Sequence, residues 1–126
     1  MTQEQKDILL KDLCMRLPYG VKAEILNEEN ERKRVVVSYG NICYIPELGN
    51  WWWKECKPYL FPLSSMSEEQ YDQLYIDSRV KNDSVDILDA LANDMDAIEY
   101  LLKNNFDIHG LIPIGLANDA TGLNIY

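Results

Sequence analysis

The chain has 126 residues, 47% hydrophobic and 26% charged, which fits one compact domain over 1–126 and argues against disorder. Its formal net charge of −9 is uneven: residues 1–66 hold nine Lys/Arg and nine Asp/Glu, residues 67–126 three against twelve. Direct nucleic-acid binding needs clustered basic side chains and is disfavoured, and no apolar run reaches the ~18–20 residues of a membrane span.

Thr2-Gln3-Glu4-Gln5 has the form of a capping box, and Leu10, Leu13, Cys14 and Leu17 follow at helical spacing. They predict a first helix with one apolar stripe, ended by Pro18 and Gly20. From Val21 the period changes to two. Val21, Ala23 and Ile25 alternate with Lys22, Glu24 and Leu26, a polar turn covers Asn27 to Asn30, and the β-branched run after Arg34 favours a second strand. Gly40-Asn41 signals a tight turn, with Ile42 to Ile45 as the returning strand. Trp51 to Lys54 is a candidate fourth strand, and Pro58 and Pro62 keep Lys57 to Leu63 extended.

The last third reads as helical. Ser67-Glu68-Glu69-Gln70 is a second capping box, Met66 and Tyr71 are placed as its hydrophobic staple, and Tyr71, Leu74 and Tyr75 point inward. Ser84 to Asn93 suits either a helix or an edge strand. Asp94 to Lys103 is a further helix with Ile98, Leu101 and Leu102 on one face and Asn104-Asn105 as its stop. Leu111 to Ala117, interrupted by Pro113 and Gly115, predicts an irregular turn packed on the core, and Ala120 to Tyr126 a loose or docked tail. The expected fold class is therefore α+β: a leading helix, a small antiparallel sheet that could curl into a half-barrel, then helices packed on it.

Trp51-Trp52-Trp53 is the most unusual local feature. On a strand Trp51 and Trp53 share one face and Trp52 takes the other, so at least one is expected to be half exposed. The alternatives are plain packing, a protein-contact patch, or a platform for a small ligand. Asp83, Asp86 and Asp89 fall three residues apart, which describes a solvated helix face or an acidic surface for a basic partner. Arg32-Lys33-Arg34 follows Glu28, Glu29 and Glu31 and is expected to be neutralised by them.

Catalytic signatures are weak. His109 is the only histidine, it is far in sequence from every cysteine, and it reads as a packing or exposed residue. The chain shows no dinucleotide fingerprint, P-loop or zinc-protease motif. Cys14, Cys43 and Cys56 are odd in number and form no close pair, which points to free thiols, a reducing compartment and no structural zinc. The polar start, Met1 to Asp7, lacks the order of a secretory signal, so the expected location is the cytoplasm.

Three stretches, Asp12 to Val21, Lys57 to Met66 and Asn105 to Ala117, together resemble short uncharacterised proteins encoded by prophages and other mobile elements of gut anaerobic bacteria. The resemblance implies an accessory protein acting on host machinery and carries over no catalytic residue. The expectation is a non-catalytic interaction module without cofactor or metal. Its partner would be a host or phage protein, bound through Trp51, Trp52 and Trp53 or the acidic face of Asp83, Asp86 and Asp89. One form of it is an acidic inhibitor of a DNA-binding protein. The alternative is a small-ligand-binding domain or an enzyme without a known motif using the tryptophan cluster. Self-association is left open.

Overall fold

The computed structural model describes residues 2–41, 53–73 and 95–126, and of 71–73 the backbone alone. Helix α1 (Gln3–Arg16) leads into a hairpin of β1 (Val21–Asn27) and β2 (Arg32–Val37). Strand β3 (Trp53–Leu60), a 3-10 turn at Leu63–Ser65, α2 (Glu68–Gln73), α3 (Met95–Lys103) and the short β4 (Asn118–Asp119) follow. The class is α+β. The sheet has the order β2-β1-β3-β4 and is open rather than curled into a half-barrel. It is also mixed: β4 runs parallel to β3, pairing Asn118 with Tyr59, where an antiparallel sheet was expected.

Local chemistry accounts for most element ends. The capping box at α1 is present, with the Thr2 hydroxyl accepting from the Gln5 amide at 3.1 Å and Gln5 Oε1 accepting from the Thr2 amide at 3.0 Å. Its counterpart at α2 joins Ser67 and Gln70 in the same reciprocal way, at 3.2 and 2.8 Å. Between β1 and β2, the Asn27 side chain accepts the amides of Glu29 and Glu31 while Asn30 turns with φ of 62°. Asn41 closes the next turn by accepting from the Ser38 amide at 2.9 Å. The returning strand expected over Ile42–Ile45, the inward positions Leu74 and Tyr75, the side chain of Tyr71 and the ambiguous segment after Ser84 lie outside the described residues.

Trp53 and Lys54 of the expected Trp51–Lys54 strand, and Lys57 to Leu60 of the extended stretch, form part of one continuous strand, β3, while Trp51 and Trp52 lie outside the described residues. It pairs antiparallel with β1, matching Ala23 to Pro58 and Ile25 to Cys56, with a register shift between Leu26 and Asn27. Leu26 faces Glu55 but Asn27 faces Trp53, so Lys54 is the extra residue of a bulge. Cys56, Pro58 and Leu60 alternate onto the core face. Trp53 sits three residues before Cys56, the wrong parity, and the bulge corrects it. Pro58 is tolerated because β4 joins β3 only from Tyr59 onward.

The main core lies between α1 and the sheet, with Leu9, Leu13, Val21, Ala23, Ile25, Trp53 and Cys56 closed from the far end by Leu111, Leu116 and Ala117. Each fully buried aliphatic side chain there is worth about 1.5–3 kcal/mol. The irregular 111–117 segment therefore packs on the core as its composition predicts. A second cluster gathers Leu63, Met66, Ala97, Leu101, Leu102, Phe106 and Ile108 around α3. The α1 stripe is a correction: its buried positions are Leu9, Asp12, Leu13 and Arg16, whereas Cys14 is exposed and Leu10 and Leu17 are half-buried. Arg32 likewise pairs across strands, with Glu24 at 3.1 Å and Glu55 at 3.7 Å, rather than with the preceding acidic run.

Candidate functional site

Two charged residues on the buried face of α1 create a demand that the rest of the chain must meet. Asp12 and Arg16, one helical turn apart, are both fully buried. Arg16 grips the carboxylate with two bonds, Nε to Oδ2 at 2.8 Å and Nη2 to Oδ1 at 3.0 Å, and Nη2 also donates to the Phe106 carbonyl at 2.6 Å. His109 Nδ1 stands 2.7 Å from Asp12 Oδ1, with the side chain 21% exposed. Burial pushes the Asp12 carboxyl up, but the hydrogen bonds and charges of His109 and Arg16 outweigh it and hold it below the ordinary 3.8.

Asp107, buried beside this network, accepts the amides of Leu111 at 2.9 Å and Ile112 at 3.0 Å, which fixes the loop carrying His109. That loop turns the Nδ1 edge of the His109 ring toward Asp12. Asp12 is its side-chain partner among the described residues. The expected packing histidine is therefore also a link from the carboxyl-terminal third back to α1.

On the other side of Phe106 lies a cleft of about 310 Å³. Its walls are Phe61, Phe106 and Tyr126, with ring centres 6.2 Å apart at 56° for the first pair and 5.8 Å at 52° for Phe61 and Tyr126. Lys103, Asn104 and Asn105, from the end of α3, complete it together with Ser65 and Gln70. Helix α3 ends in a Schellman motif: the Phe106 amide donates to Leu101 O at 2.9 Å and the Asn105 amide to Leu102 O at 3.1 Å, with Asn105 at φ of 63°. Asn105 was expected as the stop, and this is the mechanism. The Phe61 amide donates to Asn105 O and the Phe61 carbonyl accepts from Asp107, so the aromatic floor is held from both sides.

Tyr126 is fixed as firmly. Its hydroxyl donates to Tyr59 O at 2.8 Å and accepts from the Lys22 amide at 2.8 Å, while Lys22 Nζ lies 5.5 Å from the ring centre and donates to the Ile125 carbonyl. Burial raises the phenol to about 12, against smaller opposing effects of the Lys22 backbone bond and Arg16. The carboxyl-terminal tail is docked.

Comparison with protein-family models, curated proteins and solved structures returned no match. The functional assignment therefore rests on the residues themselves.

Of the binding residues expected from sequence, Trp53 is 8% exposed and belongs to the main core, so it packs rather than forming the exposed part of a patch. Trp51, Trp52, Asp83, Asp86 and Asp89 lie outside the described residues. Cys14 is exposed and Cys56 buried, neither of them in a disulfide, and Cys43 lies outside the described residues. Among the described residues no helix is long and apolar enough to cross a membrane. Sequence reasoning missed both the cleft and the ion network. The spacing of Asp12 and Arg16 on the same face as Leu9 and Leu13 was the available signal for the second.

Proposed function

We propose that the chain is a non-catalytic protein-interaction module, an accessory protein of phage or mobile-element origin working in a bacterial cytoplasm on a host or phage protein. The carrying observation is an apolar end of the β1–β2 hairpin left at the surface: Tyr39 is 71% exposed, Val36 50% and Tyr19 37%. The pairing of Val21 with Val37 brings these three residues to one end of the sheet, where Val36 Cγ1 packs within 3.3 Å of where a Gly20 Cβ would stand. Trp51 and Trp52, which lie outside the described residues, stay part of the proposed contact on their sequence alone. The acidic excess of residues 67–126 suits a basic partner, and an inhibitor of a host DNA-binding protein is the form that fits that charge. Among the described residues, Asp12, Arg16, His109 and Asp107 are engaged in holding the fold.

The test uses a partner captured from the native host and then purified. Replacing Asp83, Asp86 and Asp89 with Asn should slow association and flatten its salt dependence. Tyr39→Ser with Val36→Thr should speed dissociation. Association and dissociation rates indistinguishable from the parent at two ionic strengths, for both variants, would overturn the reading.

A further inference from the structure

The aromatic cleft carries an inference independent of the partner-binding reading, and it starts from a cost that the fold alone does not explain. Asn105 occupies the left-handed position of the Schellman motif, where the backbone requires a positive φ and nothing of the side chain. Glycine meets that requirement without a Cβ penalty. The chain instead places an amide there, 8% exposed, and its Oδ1 has no hydrogen-bond partner among the described residues. A buried acceptor left unpaired is costly, and native structures keep few of them. Asn105 thus carries two penalties at a position where a smaller residue would carry neither, and it lines the cleft.

We propose that this cleft binds an aromatic acid: a planar ring bearing one N–H or O–H donor, with a carboxylate beside it. Each part of that ligand answers a feature of the site. The ring matches the tilted walls of Phe61, Phe106 and Tyr126, which leave faces and edges for a further ring in offset or edge-to-face contact. The volume of about 310 Å³ is at the lower end of small-molecule sites and admits a single substituted ring. The donor satisfies Asn105 Oδ1. Water does not reach that oxygen in the unliganded state, but the terminal torsion of asparagine is soft, so the amide turns to meet a donor without moving the backbone.

The carboxylate is assigned to Lys103, which is exposed at the rim and makes no ion pair among the described residues. Ser65 and Asn104 are already committed, donating to Pro62 O and Tyr100 O respectively. Lys103 is the one basic side chain among the described residues that line the cleft, which suits a singly charged ligand better than a polyphosphate. A free metabolite-sized acid and an aromatic side chain beside a carboxylate on a polypeptide present the same chemistry.

The matched probes are 3-(4-hydroxyphenyl)propionate and 3-phenylpropionate, which differ only in the donor. Calorimetry on the parent protein should find the hydroxylated acid binding about tenfold or more tightly, the discrimination expected of a buried acceptor left unpaired by the wrong ligand. Amide NMR shifts should centre on Asn105, Phe106 and Lys103. In Asn105→Gly the preference should collapse, while the melting temperature stays equal or rises because both penalties are removed. Lys103→Gln should weaken both acids alike.

Acetyl-aspartyl-tyrosinamide separates the sources: tighter binding than the free acid places the ring on a polypeptide, weaker binding makes the free acid the ligand. Equal affinity of the two propionates for the parent, a preference retained in Asn105→Gly, or shifts remote from the cleft would overturn the proposal. The comparison in the parent needs no variant, so a folding defect in Asn105→Gly leaves the test intact.

Discussion

Arg16→Met removes the cation from the centre of the buried network and isolates its consequences. In the native chain Arg16 makes two bonds to Asp12 and one to Phe106 O, and the residue is 0% exposed. Methionine fills much of the space, so the loss is electrostatic rather than a cavity. Asp12 would keep only His109 Nδ1 at 2.7 Å, and the Phe106 carbonyl would lose a donor. Breaking one side of a buried ion pair costs about 3–5 kcal/mol, a large share of the ~5–15 kcal/mol of a typical domain. Guanidinium unfolding followed by circular dichroism should show that drop with an unchanged slope. Replacing both partners, Asp12→Leu with Arg16→Met, should recover most of it, since no charge is then stranded.

Acid titration adds a second reading of the same variants. Asp12 is held below 3.8, so below that pH the unfolded chain takes up its proton before the native one does. The stabilisation is complete above the ordinary value and is lost as the pH falls through the folded value. The parent should therefore weaken below about pH 4 more steeply than the double variant. A single variant within 1 kcal/mol of the parent, or a double variant as damaged as the single, would refute the account; the threshold is roughly the worth of an exposed pair.

Two further outcomes test the fold locally. Ser67→Ala should cost about 0.5–2 kcal/mol by deleting the acceptor of the Gln70 amide, measured by thermal unfolding. Tyr126→Phe should cost about 0.5–1.5 kcal/mol by removing the hydroxyl from Tyr59 O and the Lys22 amide, both within reach of water. The parent phenol is raised to about 12, so stability falls as pH climbs between the unfolded tyrosine value of 10 and that point, and the phenylalanine variant should lack that slope in alkaline unfolding.

What could be read from the sequence is what short-range chemistry controls. Both capping boxes, the Asn27–Asn30 turn and the Asn105 stop depend on atoms within five residues, and each stands where its residues indicate. The buried face of α1 was misjudged because charge was taken as a mark of the surface. Asp12 and Arg16 can be buried only because His109 and the Phe106 carbonyl, 97 and 90 residues away, meet them. The continuity of β3 was obscured by Pro58, whose tolerance depends on where β4 happens to begin. That Trp53 turns into the core could not be read from alternation alone, which does not announce a bulge at Lys54. The cleft needs three aromatic residues from separate segments and has no local signature at all.

The 90-residue reach from Arg16 to the Phe106 carbonyl also has a consequence for how the chain is made. Polypeptides emerge amino end first, at about 5–20 residues per second, and a 14-residue helix such as α1 is marginal by itself. Until Phe106 and His109 have emerged, Arg16 has no carbonyl to cap it and Asp12 has half its partners, so docking α1 would bury unmet charge. Docking of α1 on the sheet is therefore expected to wait until Phe106 and His109 have been made. A truncated product stopping short of Phe106 should leave α1 accessible to proteases, because docking it would bury the Asp12–Arg16 pair with its other partners missing.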